Sequence, residues 1–329
     1  MTPAQFALVR RLAGGDFVSG EALGADMGIS RAAIWKQLQQ LQEYGLDVES
    51  VKGRGYRIPG GLDLLDKNVI IDELGPQNRA CLTTLHLEPV LDSTNSWLLR
   101  QLAAGSVAAG TACLAEQQSQ GRGRRGRAWI SPFGRNLYCS LGWEFEQGVA
   151  ALEGLSLAVG VAAVAALEKL GLAGVSLKWP NDLLWRGRKL GGVLLEISGD
   201  ASGLCQVVIG VGLNVSMPEL LAASIDQPWV NLAEIAGGTG LPSRSRIAGV
   251  LLDEIILMLC QFQQQGFAPF RGRWEVCNAH AGQQVTMATP TTRISGRVLG
   301  INPQGGLRLQ VGDREEIFLG GEISLRGES

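Results

Sequence analysis

Apolar side chains in the first sixty residues recur every three or four positions, the spacing of amphipathic helices. Residues 3–15 form one such segment and end in two glycines. Ser19 can cap a short helix that ends at Gly28, and Ser30 can cap another over residues 31–45. The apolar face of that last helix carries Ile34, Leu38 and Leu41. Helix, short helix, glycine turn and second helix is the order of a helix-turn-helix motif.

A hairpin pattern follows these helices. In residues 46–58 (LDVESVKGRGYRI) two short strands flank a basic, glycine-rich tip, which predicts a wing. A DNA-binding winged helix and a generic helical domain both remain open, because residues 1–60 carry seven Lys/Arg against six Asp/Glu. Trp35 lies about a quarter turn from the core face, where it either packs at the edge or touches DNA. Ala32, Lys36, Gln39 and Gln40 are expected to face away from the core. The side chains suited to base edges and phosphates are Ser30, Arg31, Ala32, Lys36, Gln39, Gln40, Lys52 and Arg54.

Strand and helix patterns are mixed from residue 62 onward. Strands are predicted over residues 82–91, 110–118, 136–145, 175–180, 189–198 and 204–215. Helices are predicted over residues 95–105, after a cap at Ser93 or Thr94, and over 150–170 and 246–266. The expected fold class is α+β, with strands in hairpins and helices packed on one side of them.

The pattern of predicted elements changes again after Trp274. Short strands separated by Gly, Pro or Asn turns are predicted over residues 283–288, 294–301, 306–311, 315–320 and 322–326. Together they predict a small β-barrel of about fifty residues. The chain is therefore expected to divide into residues 1–61, 62–274 and 275–329.

Composition narrows the possible chemistry. The net charge of −2 means that any nucleic-acid contact must come from a local patch. The six cysteines have no CxxC spacing, which disfavours a zinc site and a disulfide framework. Only His86 and His280 could supply a histidine base, which argues against Ser-His-Asp or Cys-His hydrolysis.

Neither secretion nor membrane insertion is expected. The apolar run at residues 155–167 is too short to span a bilayer and predicts a buried helix. The N-terminus has no basic segment followed by an apolar core, so a cytoplasmic protein without a membrane partner is predicted.

A glycine–arginine run is the first motif that suggests chemistry. Residues 121–127 (GRGRRGR) hold four arginines and three glycines. Backbone amides in such a loop can wrap an anion, while arginine offers a planar fork to phosphate or carboxylate. A solvated basic loop is an equal alternative, but the position between a strand and AWISPFGRN places the run inside the fold.

Three weaker motifs follow. KWPND (178–182) places a lysine at a strand end and an amide and a carboxylate at a proline turn, which suits phosphates and Mg²⁺, although for this motif alone an ordinary Pro-Asn-Asp hairpin turn is the better explanation. In RKLGGVLLE (188–196) the glycines allow a ligand to approach Lys189, unless this is a strand-edge lysine. GVGLN (210–214) is a small-residue strand that ends in an amide, and close strand packing accounts for it.

Taken together, these motifs resemble biotin–protein ligases. DSTN (92–95), GRGRRGRAW, KWPNDLL, RKLGGVLLE and GVGLN occur in the family's order. The N-terminal SGEALGADMGISRAAIWKQLQQLQEYGLDV and the C-terminal GGEISLR resemble the bifunctional type, which also represses biotin synthesis genes. The resemblance implies a central mixed α/β ligase domain like class II aminoacyl-tRNA synthetases, a winged helix-turn-helix and an SH3-like barrel. Trp35 departs from what is usual in the recognition helix.

The resemblance also implies an activity. Biotin would be activated by Mg·ATP to biotinyl-5′-AMP and transferred to a lysine of the biotin carboxyl carrier protein of acetyl-CoA carboxylase. An adenylate-bound homodimer would bind operator DNA of biotin synthesis genes. A ligase without repression, a sensor without turnover and a lipoate-type ligase are the alternatives.

The implied residue roles follow the motifs. Biotin would be held by Ser93, Thr94, Asn95, Gln118, Arg122, Gly123, Arg124 and Lys189, of which Arg122, Arg124 and Lys189 would also be catalytic. ATP and the adenylate would be held by Arg127, Lys178, Asn181, Asp182, Asn214 and Trp229. Asp182 would bind Mg²⁺. The run 121–127 would be a mobile lid that orders over the adenylate.

Overall fold

A computed structural model describes residues 1–199, 203–218, 223, 225–238, 240–288, 293–319 and 324–327. The N-terminal unit has three helices and a two-stranded hairpin. Its elements are α1 (Pro3–Leu12), α2 (Gly20–Met27), α3 (Arg31–Gln40), β1 (Glu49–Val51) and β2 (Gly55–Arg57). This is the predicted helix-turn-helix with its wing.

The predicted caps of this unit are confirmed. Ser19 Oγ accepts from the backbone N–H of Ala22 and Ser30 Oγ from that of Ala33, so each hydroxyl satisfies a free donor at a helix start. Gly28 ends α2 at φ +66°, a left-handed conformation that glycine adopts without steric cost.

A seven-stranded sheet forms the centre of the molecule, in the order β3-β4-β5-β9-β8-β7-β6. Its strands are β3 (Thr84–Leu91), β4 (Thr111–Gln118), β5 (Leu137–Phe145), β6 (Val175–Lys178), β7 (Asp182–Trp185), β8 (Arg188–Gly199) and β9 (Cys205–Leu213). Its helices are α4 (Lys67–Asp72), α5 (Pro76–Cys81), α6 (Thr94–Ala103), α7 (Leu155–Lys169), α8 (Leu232–Ala236), α9 (Arg244–Gln265) and α10 (Ala268–Cys277).

Two sequence expectations about this sheet are wrong. β3 and β4 pair in parallel, not as a hairpin, because α6 carries the chain back between them. The helices also lie on both faces. Val207 points into the core shared with α7 and α9, whereas its neighbour Val208 packs against Leu98 and Leu102 of α6. Neighbouring strand residues face opposite sides, so both faces need cover.

The most apolar helix lies inside this core. Among the described residues, Val149–Lys169 is long and apolar enough to cross a membrane by composition alone. Most of the α7 side chains are buried, and the helix packs against α9, α10 and the sheet. Its apolarity is therefore explained by protein packing on nearly all sides, as predicted for residues 155–167.

A second sheet follows α10, in the order β13-β12-β11-β10-β14. Its strands are β10 (Gln284–Ala288), β11 (Arg293–Ile301), β12 (Leu307–Val311), β13 (Arg314–Phe318) and β14 (Ser324–Gly327). Each paired strand is antiparallel to its neighbour. The buried side chains of β10–β12 belong to the same apolar core as the central sheet, and Trp179 Nε1 donates to the carbonyl of Gly305. The helix α10 ends at Cys277, three residues beyond the domain end predicted at Trp274.

The N-terminal unit rests on the central part of the chain. Phe133, from the central part of the chain, lies within the apolar cluster of the N-terminal helices, and Val90 packs against the same cluster. The backbone N–H of Leu62 donates to the carbonyl of Ala13, and Gln117 Nε2 donates to that of Tyr44. Gln117 is next to Gln118, so this contact ends one residue from a predicted ligand-binding side chain.

Candidate active site

Glycines make one face of the sheet flat at the β8–β9 pair. A Cβ on Gly210 would lie 2.3 Å from Asn95 Oδ1, and one on Gly212 would lie 2.8 Å from the indole ring of Trp129. Strand β9 therefore admits no side chain at these positions, and polar and aromatic groups from elsewhere lie directly on the backbone.

The DSTN segment supplies the first of these groups. Ser93 caps α6, and Ser93, Thr94 and Asn95 are all at least 95% buried. The Ser140 hydroxyl lies 2.6 Å from Asn95 Oδ1 and 2.7 Å from Thr94 Oγ1. Asn95 Nδ2 donates to Glu196 Oε2 at 2.9 Å. Buried polar groups with this degree of hydrogen bonding have fixed orientations.

Gln118 joins the same cluster from the end of β4. Its Oε1 accepts from the backbone N–H of Thr94 at 2.9 Å and from Thr94 Oγ1 at 3.1 Å. Its Nε2 donates to Ser131 Oγ at 3.3 Å. Thr94, Asn95 and Gln118 therefore belong to one hydrogen-bonded group with Ser140, while the Ser93 hydroxyl beside them accepts from the backbone N–H of Ser96.

The glycine–arginine loop lies over this face. The backbone N–H of Gly123 donates to the carbonyl of Arg127, which closes the loop on itself. Arg122 donates to both carboxylate oxygens of Glu196 at 2.9 Å, and Arg124 Nη1 lies 3.3 Å from Asn181 Oδ1. The loop thus bridges β8 and the KWPND turn. Its predicted mobility stays a prediction.

The charged centre of the site is formed by the KWPND turn and β8. Lys189 Nζ lies 2.8 Å from Asp182 Oδ1, and both side chains are more than four-fifths buried. Burial lowers the pKa of Arg124 and the neighbouring Arg125 lowers it further, whereas Asp182 opposes the shift. An arginine stays protonated despite such a shift, so Arg124 and Lys189 bring two cations to one carboxylate. The local excess of positive charge suits an anionic ligand.

A cleft opens beside Lys189. Trp129, Met217 and Trp229 line it together with Lys189 and Asn214. The indole Nε1 of Trp129 is buried without a hydrogen-bond partner in the described part of the chain. Trp229 is half-buried. Aromatic rings beside a cation suit a flat ring that carries a phosphate.

Asn214 and Arg127 differ from the other predicted nucleotide residues. Asn214 is 4% exposed, and its Nδ2 donates to the carbonyls of Lys189 and Val230. Its amide therefore holds the cleft wall rather than facing into the cleft. Arg127 is exposed at the far end of the loop. Lys178 ends β6 and pairs across the hairpin with Asp182.

A magnesium site would depend on Asp182. No group of three or more His, Cys, Asp or Glu side chains that could hold a metal occurs in the described residues. Mg²⁺ commonly binds one or two carboxylates and completes its shell with water and substrate phosphates. Asp182 offers one such carboxylate, which fits a metal carried by a nucleotide and not a resident metal.

Most of the predicted DNA-contacting residues are exposed at the surface of the N-terminal unit. Ser30, Arg31, Ala32, Lys36, Gln39, Lys52 and Arg54 are all exposed. Gln40 is the exception, because it is half-buried and accepts a hydrogen bond from Gln5 of α1. The expectation that Gln40 faces away from the core is therefore wrong. Trp35 is 55% exposed, beside Lys36.

Three site residues were missed from sequence. Ser140 lies in the apolar strand LYCSLGWEF, and a lone hydroxyl at a buried position is a signal that could have found it. Trp129 and Glu196 lie within the quoted motifs but received no role. Their positions depend on contacts between segments up to a hundred residues apart, which the motifs alone do not encode.

Comparison with known proteins identifies the class. The model of the biotin/lipoate A/B protein ligase family matches residues 87–214, a helix-turn-helix domain model matches 4–57, and the biotin protein ligase C-terminal domain matches 280–326. A biotin protein ligase from Aquifex aeolicus, solved with biotin and ATP, is 31% identical with a TM-score of 0.64 and covers 75% of this chain and 100% of its own. The class is a biotin/lipoate-type protein ligase that carries a helix-turn-helix domain.

The full-length relatives narrow this further. The bifunctional ligase/repressor BirA of Escherichia coli is 42% identical over 97% of this chain and 96% of its own length. A biotin–[acetyl-CoA-carboxylase] ligase of Mycobacterium tuberculosis is 35% identical over 70% of this chain and 85% of its own. The chain belongs to the family of bifunctional ligase/repressors, which confirms the resemblance seen in the motifs.

Proposed function

We propose that this protein activates biotin with ATP to biotinyl-5′-AMP and transfers biotin to a lysine of the biotin carboxyl carrier protein of acetyl-CoA carboxylase. The observation that carries the proposal is the meeting of DSTN, Gln118, the glycine–arginine loop, KWPND and Lys189 on one glycine-lined face. The family membership supports it.

The two ends of this face would hold the two ends of biotin. The hydroxyl and amide groups of Ser93, Thr94, Asn95 and Gln118 are fixed in place and suit the ureido ring. Gly210 and Gly212 leave room for the ring system on the strands. The biotin carboxylate would then lie toward Lys189.

Adenylate formation brings two anions together. A carboxylate oxygen attacks the α-phosphorus of ATP, the bond from that phosphorus to the bridging oxygen breaks, and pyrophosphate leaves. Lys189, Arg122, Gly123 and Arg124 would offset the repulsion and cover the intermediate. The carboxylate is already ionised, so this step needs no general base, in keeping with the two histidines of the chain.

The nucleotide would occupy the cleft beside Lys189. Trp229 would stack on adenine, with Asn214 holding the wall behind it. Lys178, Asn181 and Arg127 would serve the phosphates, and Asp182 the magnesium ion that ATP brings. In the second step the carrier lysine attacks the acyl carbon, an amide forms and AMP leaves.

We further propose that the protein is a cytoplasmic repressor without a membrane partner. Ser30, Arg31, Ala32, Lys36, Gln39, Lys52 and Arg54 would contact operator DNA of biotin synthesis genes. An adenylate-bound homodimer would place two such surfaces at two half-sites. The finer fold assignments belong to the same proposal: a ligase domain like class II synthetases over residues 62–274, and an SH3-like barrel over 275–329 after the N-terminal domain 1–61.

The ligase proposal is tested by pyrophosphate release with biotin, ATP and carrier protein. Lys189→Ala is expected to lower the rate of adenylate formation at least a hundredfold, because one missing charge at a reacting phosphate is worth about 3 kcal/mol. Arg186→Ala is a suitable control, since this exposed arginine stacks on Trp185 outside the site. Lipoate competing as well as biotin would contradict the substrate assignment, and normal turnover of Lys189→Ala would contradict the role of the lysine.

The repressor proposal has its own test. Sedimentation with and without biotin plus ATP is expected to show a dimer only with both ligands, and operator DNA is expected to bind that dimer. Turnover without DNA binding would indicate a ligase whose N-terminal domain does not repress. DNA binding without turnover would indicate a biotin sensor.

A further inference from the structure

Glu196 connects Asn95, which lies on the glycine-lined face of the sheet and forms the floor of the site, to the glycine–arginine loop above it. Its Oε2 accepts from Asn95 Nδ2 at 2.9 Å and from Arg122 Nη2 at 2.9 Å, and its Oε1 accepts from the same Arg122 nitrogen at 2.9 Å. The Glu196 side chain is 23% exposed and that of Arg122 is 43% exposed. One carboxylate on β8 therefore joins a buried side chain of α6 to the glycine–arginine loop.

At the floor of the site, the Asn95 side-chain amide has a single orientation. The Ser140 hydroxyl meets Asn95 Oδ1 at 2.6 Å, while Nδ2 faces Glu196 and the carbonyl of Leu194. The backbone of Gly210 closes the remaining side, since a Cβ there would lie 2.3 Å from Oδ1. If the amide turned over, Oδ1 would face two acceptors, Glu196 Oε2 and the carbonyl of Leu194, and both hydrogen bonds from Nδ2 to them would be lost.

The chemistry at position 196 requires a carboxylate. Both partners of Glu196 are donors, and an ionised carboxylate has acceptor sites only. A glutamine in the same place has one acceptor oxygen, and its NH₂ group faces either Asn95 Nδ2 or Arg122. A shape-preserving substitution thus leaves a donor opposed to a donor on one side.

We propose that Glu196 is a positioning residue that couples closure of the loop 121–127 to the orientation of Asn95. When the ion pair with Arg122 forms, the carboxylate that orients the biotin-side amide also holds the loop down. Loss of the charge releases the loop and loosens the amide together, so ligand is retained less well. The ligand part of this inference rests on the proposed function; the loop part does not.

The loop part is tested by limited trypsin digestion of the ligand-free protein. The four arginines of the loop make it a natural site of cleavage once it lifts off the sheet. Glu196→Gln is expected to speed loop cleavage about two- to fivefold, the upper part of the range for one partly exposed charge pair. Glu144→Gln is the matched control, because this carboxylate lies on β5 of the same sheet and pairs only with Gln206 among the contacts described. It is expected to leave cleavage unchanged.

A second variant guards against a folding defect. Arg122→Gln breaks the same pair from the exposed side of the loop and is expected to raise cleavage at the remaining arginines by a similar factor. Glu196→Gln added to Arg122→Gln should then give little further increase. Loop cleavage at the wild-type rate in both single variants overturns the proposal.

The ligand part is tested by dissociation of preformed biotinyl-5′-AMP in a chase experiment. Glu196→Gln is expected to release it about two- to fivefold faster, while the thermal unfolding midpoint of the ligand-free protein changes no more than in Glu144→Gln. An unchanged release rate in a variant with faster loop cleavage overturns the coupling. If the wild-type protein forms no adenylate, the proposed function fails, and loop cleavage still decides whether Glu196 holds the loop.

Discussion

Gly210→Ala adds one methyl group at the point where the sheet meets the biotin-side amide. The new Cβ would lie 2.3 Å from Asn95 Oδ1, 2.9 Å from Cγ and 3.0 Å from Nδ2. Real contacts of this kind are at least about 3.3 Å, so the amide must move by about 1 Å. That movement breaks its 2.6 Å hydrogen bond to Ser140 Oγ.

The expected effects on binding and on stability differ in size. A misplacement of about 1 Å in a binding constellation costs about a hundredfold, so biotin affinity should fall by about that factor. Stability should change much less. One buried hydrogen bond is worth about 1–3 kcal/mol, and replacing glycine by alanine within a strand returns about 0.5–1 kcal/mol. Gly210 has no positive φ, so the backbone adds no strain.

The assay compares biotin binding by calorimetry with thermal unfolding of the same variant. Gly142→Ala is the matched control, because Gly142 lies on β5 and faces the same side of the sheet. Its new Cβ would meet the flexible end of Leu102 at 3.0 Å, which can rotate away. Biotin affinity within threefold of wild type in Gly210→Ala, or an equal loss in Gly142→Ala, would refute the reasoning.

Three further predictions follow from burial and exposure elsewhere. Arg244→Met leaves the carboxylate of Glu116 buried without its partner, since the two side chains are 1% and 4% exposed, and should cost about 3–5 kcal/mol in chemical denaturation. Adding Glu116→Gln should recover part of that loss, and additive losses would contradict it. Burial raises the pKa of Cys139 to about 12, so the folded state holds this proton more tightly than the unfolded state. The stabilisation that the protonated Cys139 thiol gives the folded state is complete below about pH 8.5 and is lost as the pH rises toward 12. The thermal unfolding midpoint of the wild type should therefore fall more steeply above about pH 9 than that of Cys139→Ala. Lys36→Gln should weaken DNA binding at every sequence and reduce the slope of log affinity against log salt by about 1, and an unchanged slope would place Lys36 away from phosphate.

Local signals predicted much of the fold correctly. Ser19, Ser30 and Ser93 cap helices because a hydroxyl followed by apolar repeats is a local motif. The strands of both sheets except β7 (Asp182–Trp185) were predicted from their alternation and turn residues. The face that Gln40 presents was not, because its position at the end of α3 leaves it within reach of α1. Whether Asp182 holds magnesium and Trp229 holds adenine stays a prediction.

The candidate site shows which contacts the local sequence signals could not predict. The motifs identified which segments carry chemistry, because clusters of glycine, arginine and lysine in such patterns are not explained by packing alone. They did not reveal that Asn95, Ser140 and Glu196 form one group, because these residues come from α6, β5 and β8. Pairings of this kind depend on strand order, which is a property of the whole sheet.

The sequence by itself determined the helix-turn-helix with its hairpin, most of the strands, the serine caps and the family, because each of these depends on residues that are close together along the chain. Only the tertiary structure decided that helices cover both faces of the sheet and that a single carboxylate, Glu196, holds both the loop and the floor of the site. The physical reason is the period of a strand. Each alternate residue faces the other side, so neighbours such as Val207 and Val208 meet different partners, and those partners are chosen by strand pairing over long separations.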